Sequence, residues 1–187
     1  AGCEVYIYDP TGAKPKEAEA QGFHFDLVGL GASDGDVTLN TPHGLARNMP
    51  VKTLSSFMAM NGHTHIDVLK IDIEGMEHEV IQQLGRDGWP SVGQLLLEVH
   101  NGEPTGSLRK MEDLFSSMER ADFRLFHHEV NWEWGATCCI EYSFIQRAWA
   151  PGKRSYSMRR AGTYKELKAQ GFTMPQPLIK KYLQNYR

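Results

Sequence analysis

Between His65 and Glu79 the chain reads HIDVLKIDIEGMEHE, an apolar run that stops at three carboxylates, Asp72, Glu74 and Glu77, set around Gly75. Carboxylates so placed can act as a general base, hold a divalent cation or contact a bound cofactor. A second polar group, Glu98, His100 and Asn101, closes the run QLLLEVHN. An imidazole of unperturbed pKa about 6.5 can take a proton from a hydroxyl at neutral pH. Asp72 and His100 are therefore the candidate catalytic residues. Glu74, Glu98, Asn101 and the later Asn131 are candidates to line the same pocket and bind a substrate. The bland readings stand beside these. A lone histidine is often structural, and Glu77 in a first helical turn also favours the helix dipole. Lys70, inside the apolar run, needs a partner such as Asp72 or Glu98 if it is buried.

Two further groups lie upstream. Asp9 ends EVYIY and precedes Pro10-Thr11-Gly12. A carboxylate at a strand end can accept both hydroxyls of a ribose, but Asp9 can equally close a turn on its own backbone. In Gly31-Ala32-Ser33-Asp34, small residues let a flat adenine approach while Ser33 or Asp34 bonds its amino edge; a plain turn has the same composition. Asp9, Ser33 and Asp34 are the candidate nucleotide contacts on the first of these readings, while Gly31–Asp34 taken alone reads as a plain turn. Trp132 and Trp134 could wall a pocket or cover a core edge. His127-His128 has no partner at zinc-ligand spacing, so no metal site is assigned.

Positioning these groups requires strands that end at them. Val68, Leu69, Ile71 and Ile73 predict a strand buried on both faces, and Met76, Val80, Ile81 and Leu84 then follow helical spacing. In an open α/β sheet, ligands bind beyond the carboxyl ends of the strands, where Asp72 and Glu74 fall. The same reading gives strands at Glu4–Tyr8, Phe23–Leu30, Gln94–Val99, Phe123–His127 and Ile140–Gln146, and a short one at Val37–Leu39. Helices are predicted at Val51–Met60 and Ser107–Arg120, with Pro15–Gly22 helix-compatible and Thr41–Pro50 a polar loop. Alternation of strand and helix implies a mostly parallel sheet, and the helix-free link between the last two strands makes them an antiparallel pair.

The 187 residues, 41% hydrophobic and 23% charged, suit one globular body rather than a disordered chain. No apolar run reaches the roughly 20 residues of a membrane span, and no signal-peptide pattern opens the chain. The start at Ala1-Gly2, without methionine, leaves open a lost leader or anchor, and with it the compartment; cytoplasmic is the default. Cys3 and the adjacent Cys138-Cys139 form neither a disulfide framework nor a metal cluster by spacing. Residues 1–150 carry 11 basic and 22 acidic groups, whereas residues 151–187 carry 9 and 1. The predicted organisation is thus an α/β domain over 1–150 and a basic tail over 151–187, with a short helix at Thr163–Ala169. Docking of the tail on its own acidic body competes with nucleic-acid binding, which no aromatic-basic array supports.

The motifs VYIYDP, VGLGASDG, HIDVLKIDIEGMEHEVIQQL, QLLLEVH and CIEYSFI together resemble the FkbM-like and methyltransferase-like families of S-adenosylmethionine-dependent methyltransferases. The likeness covers about residues 3–147, and LKIDIEG followed by Glu77 is its most specific part. It implies a Rossmann-like class I methyltransferase fold, a three-layer α/β sandwich of seven strands whose last strand runs antiparallel. It implies S-adenosylmethionine as cofactor, with Asp9 toward the ribose, and O-methylation of a small-molecule or glycan hydroxyl. The family's first strand and glycine-containing loop are not matched, so the expectation is a chain truncated at its N-terminus. Two other readings accompany it: a non-catalytic Rossmann-like binding module, and a divalent-metal enzyme using Asp72, Glu98 and Asn101.

Overall fold

A computed structural model describes residues 3–12, 21–38, 40–41, 44–45, 48–100, 108–131 and 139–149. The chain divides into two compact units, Ala1–His63 and Thr64–Arg187.

In the first unit, β1 (Tyr6–Tyr8) pairs in parallel with β2 (His24–Asp26). Aromatic side chains hold this ribbon: Tyr6 stacks on His24 with ring centroids 4.4 Å apart, and Tyr8 stacks on Phe57. β3 (Gly29–Leu30), β4 (Gly35–Val37), β5 (Asn40–Thr41), β6 (Gly44–Leu45) and β7 (Met49–Lys52) follow. β7 is flanked by β3, parallel, and β4, antiparallel, while β5 and β6 form a hairpin. Helix α1 (Leu54–Asn61) buries Leu54, Phe57 and Met58. Thr53 caps it, its hydroxyl accepting from Ser56 N, and Gly62 closes it in the left-handed conformation. The predicted helix over Val51–Met60 is thereby corrected: Met49–Lys52 pairs as a strand, and helical geometry begins only after the Thr53 cap. The predicted strand Phe23–Leu30 divides into β2 and β3, and the polar loop over Thr41–Pro50 contains the β5–β6 hairpin.

The second unit contains β8 (Ile66–Ile71), α2 (Glu77–Asp87), β9 (Val92–His100), α3 (Leu108–Arg120), β10 (Phe123–Val130) and β11 (Cys139–Gln146). Its sheet runs β10-β11-β9-β8, with β8 and β9 parallel and β11 antiparallel to both β9 and β10. The α/β class and the antiparallel C-terminal pair agree with the sequence. β9 has neighbours on both edges, and its Leu95, Leu97 and Val99 are at most 1% exposed. That is the setting in which a near-continuous apolar run is stable. β8 is the outer strand among the described residues and Val68 is 52% exposed, so the expected burial of both its faces is corrected.

The core of this unit lies under the two helices. α2 presents Val80, Ile81 and Leu84, each fully buried, and α3 presents Met111, Leu114, Phe115 and Met118 at three- and four-residue spacing. The helices meet closely at Gly85, where a Cβ would collide with Ser117 Oγ. Burying these side chains is worth on the order of 1.5–3 kcal/mol each before the entropy of ordering them is counted. Among the described residues, no helix is long and apolar enough to cross a membrane. The helix-compatible segment 15–22, apart from its last two residues, and the basic tail with its short helix lie outside the described residues, as does the 150/151 boundary.

Candidate functional site

Register places the polar groups of the second unit. Ile71 of β8 pairs with Leu97 of β9, which brings Asp72, just past the strand, beside Glu98. His100 ends β9 opposite Cys139, the first residue of β11, and Asn131 N donates to Cys139 O from the far side. Three distant chain segments, at 72, 98–100 and 131, therefore converge on one end of this sheet.

The turn from β8 into α2 is shaped by its own sequence. Glu74 adopts φ +57° and Gly75 φ +107°. Glycine takes such values without steric penalty, whereas glutamate there costs about 1–2 kcal/mol. The turn aims Glu77, the first residue of α2, back beneath it. Glu77 is 0% exposed, and its Oε1 accepts from Ile73 N and Gly75 N, both at 3.1 Å. The same oxygen lies 2.9 Å from His100 Nδ1. The other ring nitrogen, Nε2, is 3.5 Å from Glu74 Oε2.

Charge follows this geometry. Burial opposes ionisation of Glu77, but the hydrogen bond and positive charge of His100 together with backbone amides, Gly75 among them, outweigh it and bring the carboxyl below its ordinary range. Burial likewise disfavours the imidazolium, yet the Glu77 hydrogen bond and the charges of Glu77, Glu74 and Asp72 raise the His100 pKa overall. Burial pushes the Glu98 carboxyl up, and so do the charge of Asp72 and a hydrogen bond with it; a 3.1 Å hydrogen bond from Asn131 Nδ2 and the charge of His100 pull the other way. Lys70 Nζ, half exposed, lies 3.7 Å from Asp72 Oδ2.

Of the residues expected on the acceptor side, Asp72, Glu74, Glu98, His100 and Asn131 meet here, while Asn101, Trp132 and Trp134 lie outside the described residues. Donor atoms of Asp72, Glu74 and His100 fall within 4.8 Å of one another, as do those of Glu98, His100 and Cys139. Cys139 is disulfide-bonded and offers no thiolate. The part that sequence reasoning missed is the bond from Glu77 to His100. The available signal was an acid at the first helical position followed by a histidine at the end of the next strand.

In the first unit the candidates are arranged differently. Asp9 Oδ1 accepts from Thr11 N at 2.7 Å and from Thr11 Oγ1 at 2.6 Å, closing the turn on itself. Asp9 Oδ2 faces Gly12, where a Cβ would stand 2.9 Å from it. Asp34 Oδ1 accepts from Thr53 N at 2.8 Å, and both its oxygens accept from Ser56 Oγ. The Thr53 amide, then Ser56 and the charge of Lys52, lower the Asp34 pKa against a smaller opposing effect of desolvation. Asp34 thus ties the turn after β3 to the start of α1. Ser33 is exposed in that turn.

A family model described as the Methyltransferase FkbM domain matches residues 18–125. Probable methyltransferase-like protein 24 of Homo sapiens is 28% identical over 169 residues, covering 79% of this chain and 45% of that protein. Its counterpart from Rattus norvegicus is 31% identical over 139 residues, covering 67% and 36%. The chain thus spans less than half the length of these curated relatives. A crystal structure of a protein in the NADB-Rossmann superfamily from Streptococcus agalactiae aligns over 97% of this chain and 76% of its own, with 15% identity and a TM-score of 0.42.

Proposed function

The chain belongs to the FkbM methyltransferase domain family, and from that premise we propose that it works within an S-adenosylmethionine-dependent methyltransferase that O-methylates a small-molecule or glycan hydroxyl. The observation that carries the acceptor chemistry is the His100 ring, held by Glu77 at Nδ1 with Nε2 turned toward Glu74 at the end of the sheet. The cofactor supplies a methyl group already activated on a sulfonium. What the protein must add is alignment and a place for the proton that the acceptor loses.

The residues present fit such a cofactor in one respect that the geometry supports. The Asp9 turn bonds through Oδ1, while Oδ2 faces Gly12, whose missing Cβ leaves space beside that oxygen for a hydroxyl. Asp9 is therefore assigned to the ribose. Asp34 is engaged with α1, so its part is to fix the turn that presents Ser33 toward the adenine amino edge.

On the acceptor side, His100 Nε2 takes the hydroxyl proton. Asp72 and Glu98, side by side at the strand ends, with Glu74 and Asn131, supply polar contacts that orient the hydroxyl. The raised His100 pKa sets the pH at which the ring becomes neutral, so transfer requires pH above that value. Calorimetry with S-adenosylmethionine, and transfer of labelled methyl to hydroxylated acceptors, test the reading on this chain and on a form extended to the length of its relatives. Absence of binding by both forms sinks it.

A further inference from the structure

We propose that Glu77 is the positioning residue of His100, fixing a hydrogen on Nδ1 and reserving Nε2 as the nitrogen that exchanges a proton. For its catalytic meaning the inference rests on the base assignment above; its geometry does not.

Three donors converge on Glu77 Oε1: the amides of Ile73 and Gly75 and the His100 Nδ1 edge, at 3.1, 3.1 and 2.9 Å. An ionised carboxylate can only accept, so the hydrogen in the 2.9 Å bond belongs to the ring. The neutral imidazole is then the Nδ1–H tautomer, and its lone pair is on Nε2. Glu77 cannot swing away, because the two amides hold the same oxygen and the side chain is 0% exposed. Its second oxygen, Oε2, is buried and has no hydrogen-bond partner among the described residues.

A residue that only capped α2 would satisfy backbone amides near the helix start. Glu77 does this with the oxygen that also reaches a side chain 23 positions later, on a different strand. The turn that caps the helix is thereby the device that orients the ring. Among the described residues, charged groups that also face His100 are Glu74 at Nε2 and, through space, Asp72 and Glu98. Glu74 is half exposed and Glu77 fully buried, so Glu77 governs the Nδ1 edge and Glu74 lies where a proton taken up at Nε2 passes to solvent.

Long-range proton–nitrogen NMR of the imidazole in nitrogen-15-labelled chain, followed from pH 5 to 9, reads both tautomer and pKa. The expected result is a neutral His100 in the Nδ1–H form with a pKa above the ordinary value. Glu77→Gln should lower that pKa by about one unit or more, the scale of a lost close opposite charge. Glu74→Gln should lower it less. An Nε2–H tautomer in the unsubstituted chain, or a Glu77→Gln pKa that does not move, overturns the proposal. If Glu77→Gln does not fold, the tautomer in the unsubstituted chain decides alone. Methyl transfer by His100→Gln separates the two claims: full activity would remove the base assignment, while the NMR readout still judges Glu77.

Discussion

The carboxylates at strand ends in the two units have similar sequence settings and different fates. In the first unit, Asp9 is answered by the amide and hydroxyl of Thr11, and Asp34 by the Thr53 amide and Ser56. Most of these partners are neutral dipoles that do not titrate, and Lys52 adds only a looser charge at 3.6 Å. In the second unit, Glu77 is answered by a histidine and Glu98 by another carboxylate and an asparagine. Beside neutral donors such as Asn131 and the Ile73 and Gly75 amides, this unit thus adds an imidazole that can change charge. An acid at a strand end therefore says little by itself. What distinguishes a structural acid from one able to do chemistry is whether its partner can gain or lose a proton.

Several measurements can break that contrast. The largest effect is expected for His100→Gln, which should lower kcat/KM for methyl transfer by about 10²–10⁴-fold, the usual contribution of a positioned base. Unchanged kcat/KM would leave the second unit's histidine with no part in proton transfer. Next, Glu77→Leu should destabilise the chain by about 3 kcal/mol in urea unfolding, since it strips a buried pair of one partner.

The pairing also has a pH signature. The folded His100 pKa lies above its unfolded value, so it adds stability that is full below about pH 6.5 and is lost as pH rises through the folded pKa. The difference in urea midpoint between the chain and His100→Gln should accordingly shrink from pH 6 to pH 9. A difference independent of pH would contradict it. In the first unit Thr53→Ala should cost about 1 kcal/mol, the value of a helix cap, with no comparable pH dependence. The smallest effect should come from Glu74→Gly. Relief of the left-handed glutamate should slightly exceed what the exposed side chain contributes, shifting the thermal midpoint upward by a few degrees or less.

Legibility in the sequence followed the same division. β9 and α3 were readable because burial imposes period and length on them: Leu95, Leu97 and Val99 in one, Met111, Leu114 and Met118 in the other. β7 was not, since Met49–Lys52 contains a proline and leads without a break into a helical pattern. β8 looked doubly buried because its residues are apolar, yet apolar type does not say which edge is covered. Asp72, Glu98, His100 and Asn131 could each be named from strand-end position. Their pairing could not, because it depends on β11 lying between β9 and β10, a long-range choice that local pattern does not encode. The hold of Asp34 on α1 was hidden for the same reason, its partners lying 19 and 22 residues away.

That insertion of β11 between β9 and β10 has a kinetic consequence. Asn131 reaches Glu98 across 33 residues, and its backbone is tied to Cys139 at the start of β11. The polar cluster cannot be complete until β11 has entered the sheet between β9 and β10. Such non-local pairings are slow and form late. Docking of β11 is thus what brings Asn131 to Glu98, whereas the bond between Glu77 and His100 needs only α2 and β9. A change that weakens the β11 pairing should therefore open the Glu98 side of the cluster before the Glu77 side.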